Sequence, residues 1–151
     1  MRRSERKRTE PDLGVLTARL MFAVQHELFD TLAREGHADL RPQHGAVMAY
    51  LDVEGSRATD LARRSGQHKQ VVGKLLDELE ALGYVERRPD PADRRAKLIV
   101  PTQRGLDQMT KSDAILAAIE ERCAHAVGPE SYAAFKAVFQ RVVEHQREST
   151  P

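Results

Sequence analysis

Apolar residues recur along this chain at helical spacing, most sharply between Gln67 and Gly83. Val71, Val72, Leu75, Leu79 and Leu82 fall where a helix buries one face. Gly83 stands where a C′ glycine ends such a helix, directly before a strand-like run. The same spacing predicts a helix over residues 11–34, with Gly36 as its stop. That helix carries one stripe of Leu13, Leu16, Leu20, Ala23 and Val24, and a second of Val15, Phe22 and Phe29. Two stripes imply two buried contacts, one within the chain and one with a second subunit.

Shorter elements lie between these helices. Residues 41–51 read as a helix with Pro42 in its first turn and Val47, Met48 and Leu51 on its buried side. Glu54-Gly55-Ser56 is a turn, 59–64 a further short helix, and Ser65-Gly66 the break before the central one. Two helices separated by a few residues containing Gly are the sequence image of a helix-turn-helix, whose second helix enters a DNA major groove. Residues 84–88 and 96–100 then alternate as strands around a polar, proline-marked loop over 89–95, and Pro101 ends the second. A hairpin in that place is a wing. Thr102 is a natural N-cap for a long helix to about Val127, with Leu106, Met109, Leu116, Ile119 and Cys123 on one side. Gly128-Pro129 breaks it, and Tyr132, Phe135, Val138, Phe139, Val142 and Val143 stripe a last helix. The expected fold class is mainly α: a winged helix-turn-helix of three helices and a β-hairpin, flanked by N- and C-terminal helices.

Charge refines this only through its distribution, because 24 Lys and Arg against 23 Asp and Glu leave a net charge of +1. In the central helix, Lys69 and Lys74 occupy the first half, and Asp77, Glu78 and Glu80 the second. That order opposes the helix macrodipole. It suits a helix whose front presses on phosphate, although a solvated helix with arbitrary charge order accounts for this segment equally well. Over residues 57–97 the bases are Arg57, Arg63, Arg64, Lys69, Lys74, Arg87, Arg88, Arg94, Arg95 and Lys97, while the acids sit mostly at the back of the central helix. The bases therefore gather on the helix front and the wing, as phosphate binding requires. Residues 1–10, rich in arginine, read as a disordered basic tail, either solubilising or brushing phosphate. No apolar run approaches the roughly 18 residues that cross a bilayer, and no signal peptide is apparent, so a cytoplasmic protein with no membrane partner is expected. The single cysteine, Cys123, excludes an intrachain disulfide and a multi-cysteine metal cluster.

Arg87-Arg88-Pro89-Asp90-Pro91-Ala92-Asp93-Arg94-Arg95-Ala96-Lys97-Leu98 followed by Thr102-Gln103-Arg104-Gly105, with Leu61-Ala62-Arg63-Arg64 and Leu79-Glu80-Ala81-Leu82-Gly83, resembles the MarR family of winged helix-turn-helix regulators. The resemblance is dense over residues 40–106. It implies a homodimer held by 11–40 and 102–151 around a DNA-binding region at 41–101. It also implies a ligand-responsive repressor that reads a pseudo-palindromic duplex with two recognition helices about one DNA turn apart, and a small-molecule effector.

For DNA, the front of the central helix offers Gln67, His68, Lys69, Gln70, Gly73 and Lys74. Gln70 suits adenine, and Lys69 or Lys74 a guanine edge or a phosphate. Gly73 costs a helix about 1 kcal/mol against Ala, which reads either as close approach to DNA or as a tolerated small residue. The family usually carries small hydroxyl residues near Gln70, Val71 and Gly73, a departure that prevents transfer of base preferences. In the wing, the resemblance implies that Arg95 or Arg94 enters a narrow minor groove, with Asp93 holding the loop or the arginine. Arg88 and Lys97 complete the basic surface. The resemblance further implies a ligand pocket, for which Phe22, His26, Phe29, His44 and Met48 are candidates. Ordinary packing accounts equally for the apolar ones.

Cys123, on an apolar helix face, reads as an inert thiol rather than an oxidant sensor; relatives that sense peroxide carry their cysteine near the first helix. The histidines His26, His37, His44, His68, His125 and His145 have no paired i, i+4 spacing and no cysteine partner. No metal, cofactor or catalytic residue is expected, and no nucleophile–base pairing or phosphate-binding glycine loop points to an enzyme. The rival reading is a winged-helix protein–protein interaction module without specific DNA binding. Affinity for duplex and its salt dependence separate the two.

Overall fold

Asp12 starts the first long helix by accepting the Val15 N–H at 3.0 Å. In the computed structural model, which describes all 151 residues, that helix is α2 (Leu13–Leu32), followed by a wider π-type turn over Ala33–His37. Before it, the expected disordered tail contains a helix, α1 (Arg3–Thr9), none of whose residues is buried. Its local reasons are visible: the Glu5 carboxylate accepts the Arg2 N–H at 2.9 Å, and Arg6, Lys7 and Arg8 complement the helix dipole in the last turn. There follow α3 (Pro42–Met48), α4 (Ala58–Ser65), α5 (Lys69–Ala81), β1 (Val85–Asp90), β2 (Asp93–Pro101), α6 (Gln103–Val127) and α7 (Pro129–Glu148). The mainly helical chain with one antiparallel hairpin is the fold class the sequence predicts. No helix is long and apolar enough to cross a membrane.

The chain divides into two compact units, Met1–Asp113 and Ala114–Pro151, with the boundary inside α6. The first holds the core. Val47, Met48 and Leu51 from the α3 region, Leu61 and Ala62 from α4, and Val72, Leu75, Leu76 and Leu79 from α5 close on Tyr84, Val85 and Ile99 of the hairpin. Each fully buried leucine contributes about 1.5–3 kcal/mol, which is how helices as short as α3 and α4, unstable in isolation, persist here. Phe29 of α2 and Met109 of α6 pack against this cluster from outside. Val71, expected on the buried face, is 47% exposed instead. Burying Leu76 turns the helix so that Val71 faces solvent.

Gly83 ends α5 as predicted. It adopts φ 83°, and the Tyr84 N–H reaches back to the Leu79 carbonyl at 2.9 Å, the closing bond of a Schellman turn. Tyr84, fully buried, then ties four elements together. Its hydroxyl donates to Asp39 at 2.7 Å and lies 2.9 Å from His37 Nδ1. Its carbonyl accepts the Thr102 N–H at 3.0 Å, and its ring lies 4.3 Å beneath the Arg104 guanidinium. His37 Nε2 is 2.8 Å from Asp107 of α6. Burial first, and then the Asp39 carboxylate, push the Tyr84 hydroxyl far above the ordinary tyrosine value.

The hairpin is tighter than the sequence suggests. Instead of a loop over 89–95, the strands run on until only Pro91 and Ala92 connect them. Asp90 accepts the Ala92 N–H at 2.9 Å, and Pro91 presets the turn. Pairing jumps from Pro89↔Lys97 to Asp90↔Asp93, leaving Arg94, Arg95 and Ala96 in a bulge. Pro89, which has no N–H to offer the ladder, sits at the irregularity. Ser56 adds a third rung by exchanging two backbone bonds with Ile99, at 2.9 and 2.8 Å.

The second unit comprises the end of α6 and α7. Tyr132 donates to Glu120 at 2.7 Å, which with some burial raises the phenol to about 12. Phe135 stacks on Phe139 with centroids 5.4 Å apart. Phe135, Val138, Val142 and Val143 nevertheless remain exposed in the single chain.

Gly105 provides a direct test of the Tyr84 junction. A Cβ there would lie 2.1 Å from the Tyr84 carbonyl oxygen, so backbone must move. Gly105→Ala is expected to lower unfolding free energy by about 1–3 kcal/mol, measured by urea denaturation.

Candidate nucleic-acid interface

The reversed charge order of α5 has a structural cause. Each acid in its second half is engaged by another element: Glu78 accepts from His44 Nε2 at 2.7 Å, and Asp77 and Glu80 each accept from Arg87 of β1 at 2.8 Å. These carboxylates hold α5 to α3 and to the hairpin. The front of the helix is free of them.

The same sorting runs through the whole basic stretch. Arg57 pairs with Asp90, Arg63 with Asp60, Arg64 with Asp52, Arg87 with Asp77 and Glu80, and Arg88 with Glu86. Lys69, Lys74, Arg94, Arg95 and Lys97 have no acid partner and are exposed. Two of these five lie on α5 and three on or beside the wing bulge. Exposed ion pairs contribute little to stability, typically about 0–1 kcal/mol each. Their effect here is to neutralise the other half of these ten bases, so that within residues 57–97 unpaired positive charge remains at the helix front and the wing tip.

The candidate residues of the sequence take definite places around this charge. His68 is the N-cap of α5, its Nδ1 accepting the Gln70 N–H at 3.3 Å. Gln67, half-buried, precedes it. Gln70, Gly73 and Lys74 share the outward ridge with Asp77, opposite Val72, Leu75 and Leu79. A Cβ on Gly73 would meet nothing within 4 Å, so no contact in the chain requires glycine there. Asp93 accepts the Arg95 N–H at 3.0 Å, which fixes the loop rather than an arginine side chain. Lys97 stands at the last regular pair before the bulge. Arg88, expected in the basic surface, is instead neutralised by Glu86.

Three residues escape a reading of the sequence. Val71 presents an apolar side chain on the same helix, suited to a thymine methyl; assigning it to the buried face by periodicity conceals it. Arg57 and Asp90 brace the wing. Arg57 Nε and Nη2 lie 2.8 and 2.6 Å from Asp90 Oδ2, and Asp90 is 6% exposed. The signal for them is Asp-Pro-Ala-Asp, in which the first residue of a Pro-containing turn needs a partner for its carboxylate.

The suggested pocket residues do not converge in the single chain. Phe22 and His26 are exposed on α2, where His26 pairs with Asp30 at 3.1 Å. Phe29 covers Gly45. His44 is buried, with Nδ1 accepting the Arg41 N–H at 3.0 Å and Nε2 donating to Glu78. Met48 lies in the core. An open cavity of about 620 Å³ is lined elsewhere, by Glu121, Arg122, Ala124, His125 and Pro129. Cys123 is half-buried and free.

Comparison with known proteins agrees with this geometry. Residues 38–96 match the model of the MarR family. An uncharacterized protein of Mycobacterium tuberculosis, Rv2011c, is 29% identical over 111 residues, covering 74% of this chain and 76% of its own. Among solved structures, CouR from Rhodococcus jostii RHA1 bound to p-coumaroyl-CoA is 27% identical with a TM-score of 0.70, covering 87% of this chain and 91% of that one. The transcriptional repressor CouR bound to a 23-mer DNA duplex shares the fold at 23% identity and a TM-score of 0.72, over 91% and 95% of the two chains.

Gly73 separates stability from binding. Because it has open space around it, Gly73→Ala should raise unfolding free energy by about 0.5–1 kcal/mol while weakening duplex binding; urea denaturation and a binding titration check the two halves separately. A second expectation concerns pH. The Ala92 N–H and then Arg57 hold the Asp90 carboxyl below the ordinary carboxylate range, and Arg64 does so for Asp52. Asp107 is lowered by Lys111 and then His37. A depressed folded-state value means that the stabilisation is complete above the unfolded value of about 3.9 and is lost as pH falls through the folded one. Thermal midpoints followed by circular dichroism should show no loss from these groups between about pH 7 and 5, and a progressive loss below about pH 4.

Proposed function

We propose that the chain is a member of the MarR family, whose model its residues 38–96 match, and that it is a homodimeric, sequence-specific DNA-binding transcriptional regulator acting as a ligand-responsive repressor in the cytoplasm. The observation that carries this reading is that, within residues 57–97, the bases without an acid partner all lie at the front of α5 and on the wing. Lys69, Lys74 and Gln70 would meet base edges and phosphates in the major groove, and Arg94 and Arg95 would enter the flanking minor groove. Segments 11–40 and 102–151 are assigned to subunit pairing. Leu13, Leu16, Leu20, Met21 and Phe22 on α2, all exposed in the single chain, would be covered by a second copy. Two such copies present two recognition helices to a pseudo-palindromic operator.

An effector would act by preferring the subunit arrangement that fits DNA poorly, and its differential affinity for the two arrangements sets the limit of release. Among the solved relatives, CouR is seen with p-coumaroyl-CoA, which makes that thioester a first probe here.

The test is fluorescence anisotropy with labelled duplex from immediately upstream of the protein's own gene, across a salt series, with Arg94→Ala/Arg95→Ala beside the wild type. Saturable binding that exceeds binding to scrambled duplex is expected. The double substitution should weaken it and shallow the salt slope by roughly 0.9 for each phosphate no longer neutralised. Equal, weak binding to both duplexes, repeated with genome-wide fragments, would sink the reading in favour of a protein-interaction module.

A further inference from the structure

The wing arginines sit on a bulge at the end of a two-stranded hairpin, an element that is marginal on its own. Their effectiveness depends on what holds that tip at a fixed distance from α5. Two neighbouring residues do so. Ser56 pairs by backbone with Ile99, at the level of Arg87 in the ladder. Arg57, the residue that precedes α4, extends its guanidinium past that point to Asp90 at the turn, placing Nε and Nη2 on one carboxylate oxygen. The other oxygen of Asp90 holds the Ala92 N–H. Asp90 pairs across the turn with Asp93, whose carboxylate fixes the Arg95 N–H. A continuous chain of bonds thus runs from the first helix of the helix-turn-helix to the backbone of Arg95.

We infer that Arg57 is a positioning residue for DNA recognition: through Asp90 it fixes the wing bulge relative to α5, so that the groove contact of Arg95 depends on it. This rests on the DNA-binding reading above. Arg57 itself is already engaged by a nearly buried carboxylate, so its charge acts on the wing rather than on phosphate. Pre-organisation of this kind raises affinity by removing the ordering cost at the moment of binding.

The experiment is a double-mutant cycle on the full-length protein: Arg57→Ala, Asp90→Asn and Arg95→Ala, singly and combined, titrated against the operator and a scrambled duplex. Arg57→Ala should weaken operator binding about tenfold in the wild-type background and less than about twofold in Arg95→Ala. Arg57→Lys should restore part of the loss. Asp90→Asn should act in the same direction as Arg57→Ala. If Arg57 contacts phosphate directly, Asp90→Asn would free it and strengthen binding, and Arg57→Ala would cost the same in both backgrounds; either result overturns the proposal. Hydrogen exchange gives a reading without DNA: Arg57→Ala should deprotect the Ala92 and Arg95 amides while leaving those of α5 unchanged. Unaltered exchange at the wing would also reject it. Failure of the wild type to bind any duplex, with the wing amides still deprotected by Arg57→Ala, would remove the regulatory reading yet leave the brace itself intact.

Discussion

The burial of Tyr84 is the constraint from which the winged unit takes its shape. A phenol with no exposed surface must keep its hydroxyl bonded, since an unsatisfied buried polar group costs about 1–3 kcal/mol. It therefore draws Asp39 and His37 from the end of α2 toward the point where α5 becomes β1. Arg104 covers the ring and also bonds Asp39 at 2.9 Å and the Leu82 carbonyl at 2.6 Å. The backbone of Tyr84 seats Thr102, and Gly105 fits over its carbonyl only because it has no side chain. One side chain and its peptide thus fix where the recognition helix stops, where the wing begins and where α6 departs.

Electrostatics on this frame works by subtraction. Five arginines of the basic stretch are neutralised, Arg57, Arg64 and Arg87 by acids from neighbouring segments and Arg63 and Arg88 by acids of their own helix or strand. These pairs are mostly exposed and weak as stabilisers. What they decide is the shape of the remaining field: two lysines on α5, and two arginines with a lysine on the wing. A uniformly basic surface would bind phosphate anywhere, whereas on the proposed reading this distribution directs a duplex to one helix and one hairpin.

The wing shows how backbone irregularity serves the same end. A regular ladder would have placed Arg94 and Arg95 on alternate faces of the sheet. The bulge, permitted by Pro89 and closed by the Asp90 turn, lifts both out of the pairing. Asp93 then fixes one of them by its backbone amide.

The sequence by itself determined the order and type of the elements, because these depend on local periodicity, caps and breakers: the apolar spacing of α5, Gly83 in the left-handed region, Thr102 at a helix start, and Gly128-Pro129 between the last two helices. It also singled out Lys69, Lys74, Arg94 and Arg95 by their place on a helix front and a wing loop, although Asp77 and Glu78, three and four positions after Lys74, stood close enough in sequence to claim it. Local spacing accounts for two of the neutralised bases, Arg63 with Asp60 and Arg88 with Glu86, and tertiary structure decided the other three. Arg57 meets Asp90 across 33 positions and His44 meets Glu78 across 34, and no local pattern encodes such partners. It also decided that α5 would turn Val71 outward, that α1 would form in a segment expected to be disordered, and that Tyr84 would be a hub rather than the first residue of a strand. Periodicity specifies which face of an element is buried, but the partners that satisfy a buried hydroxyl or carboxylate are set by chain crossings that only the folded molecule brings within about 3 Å.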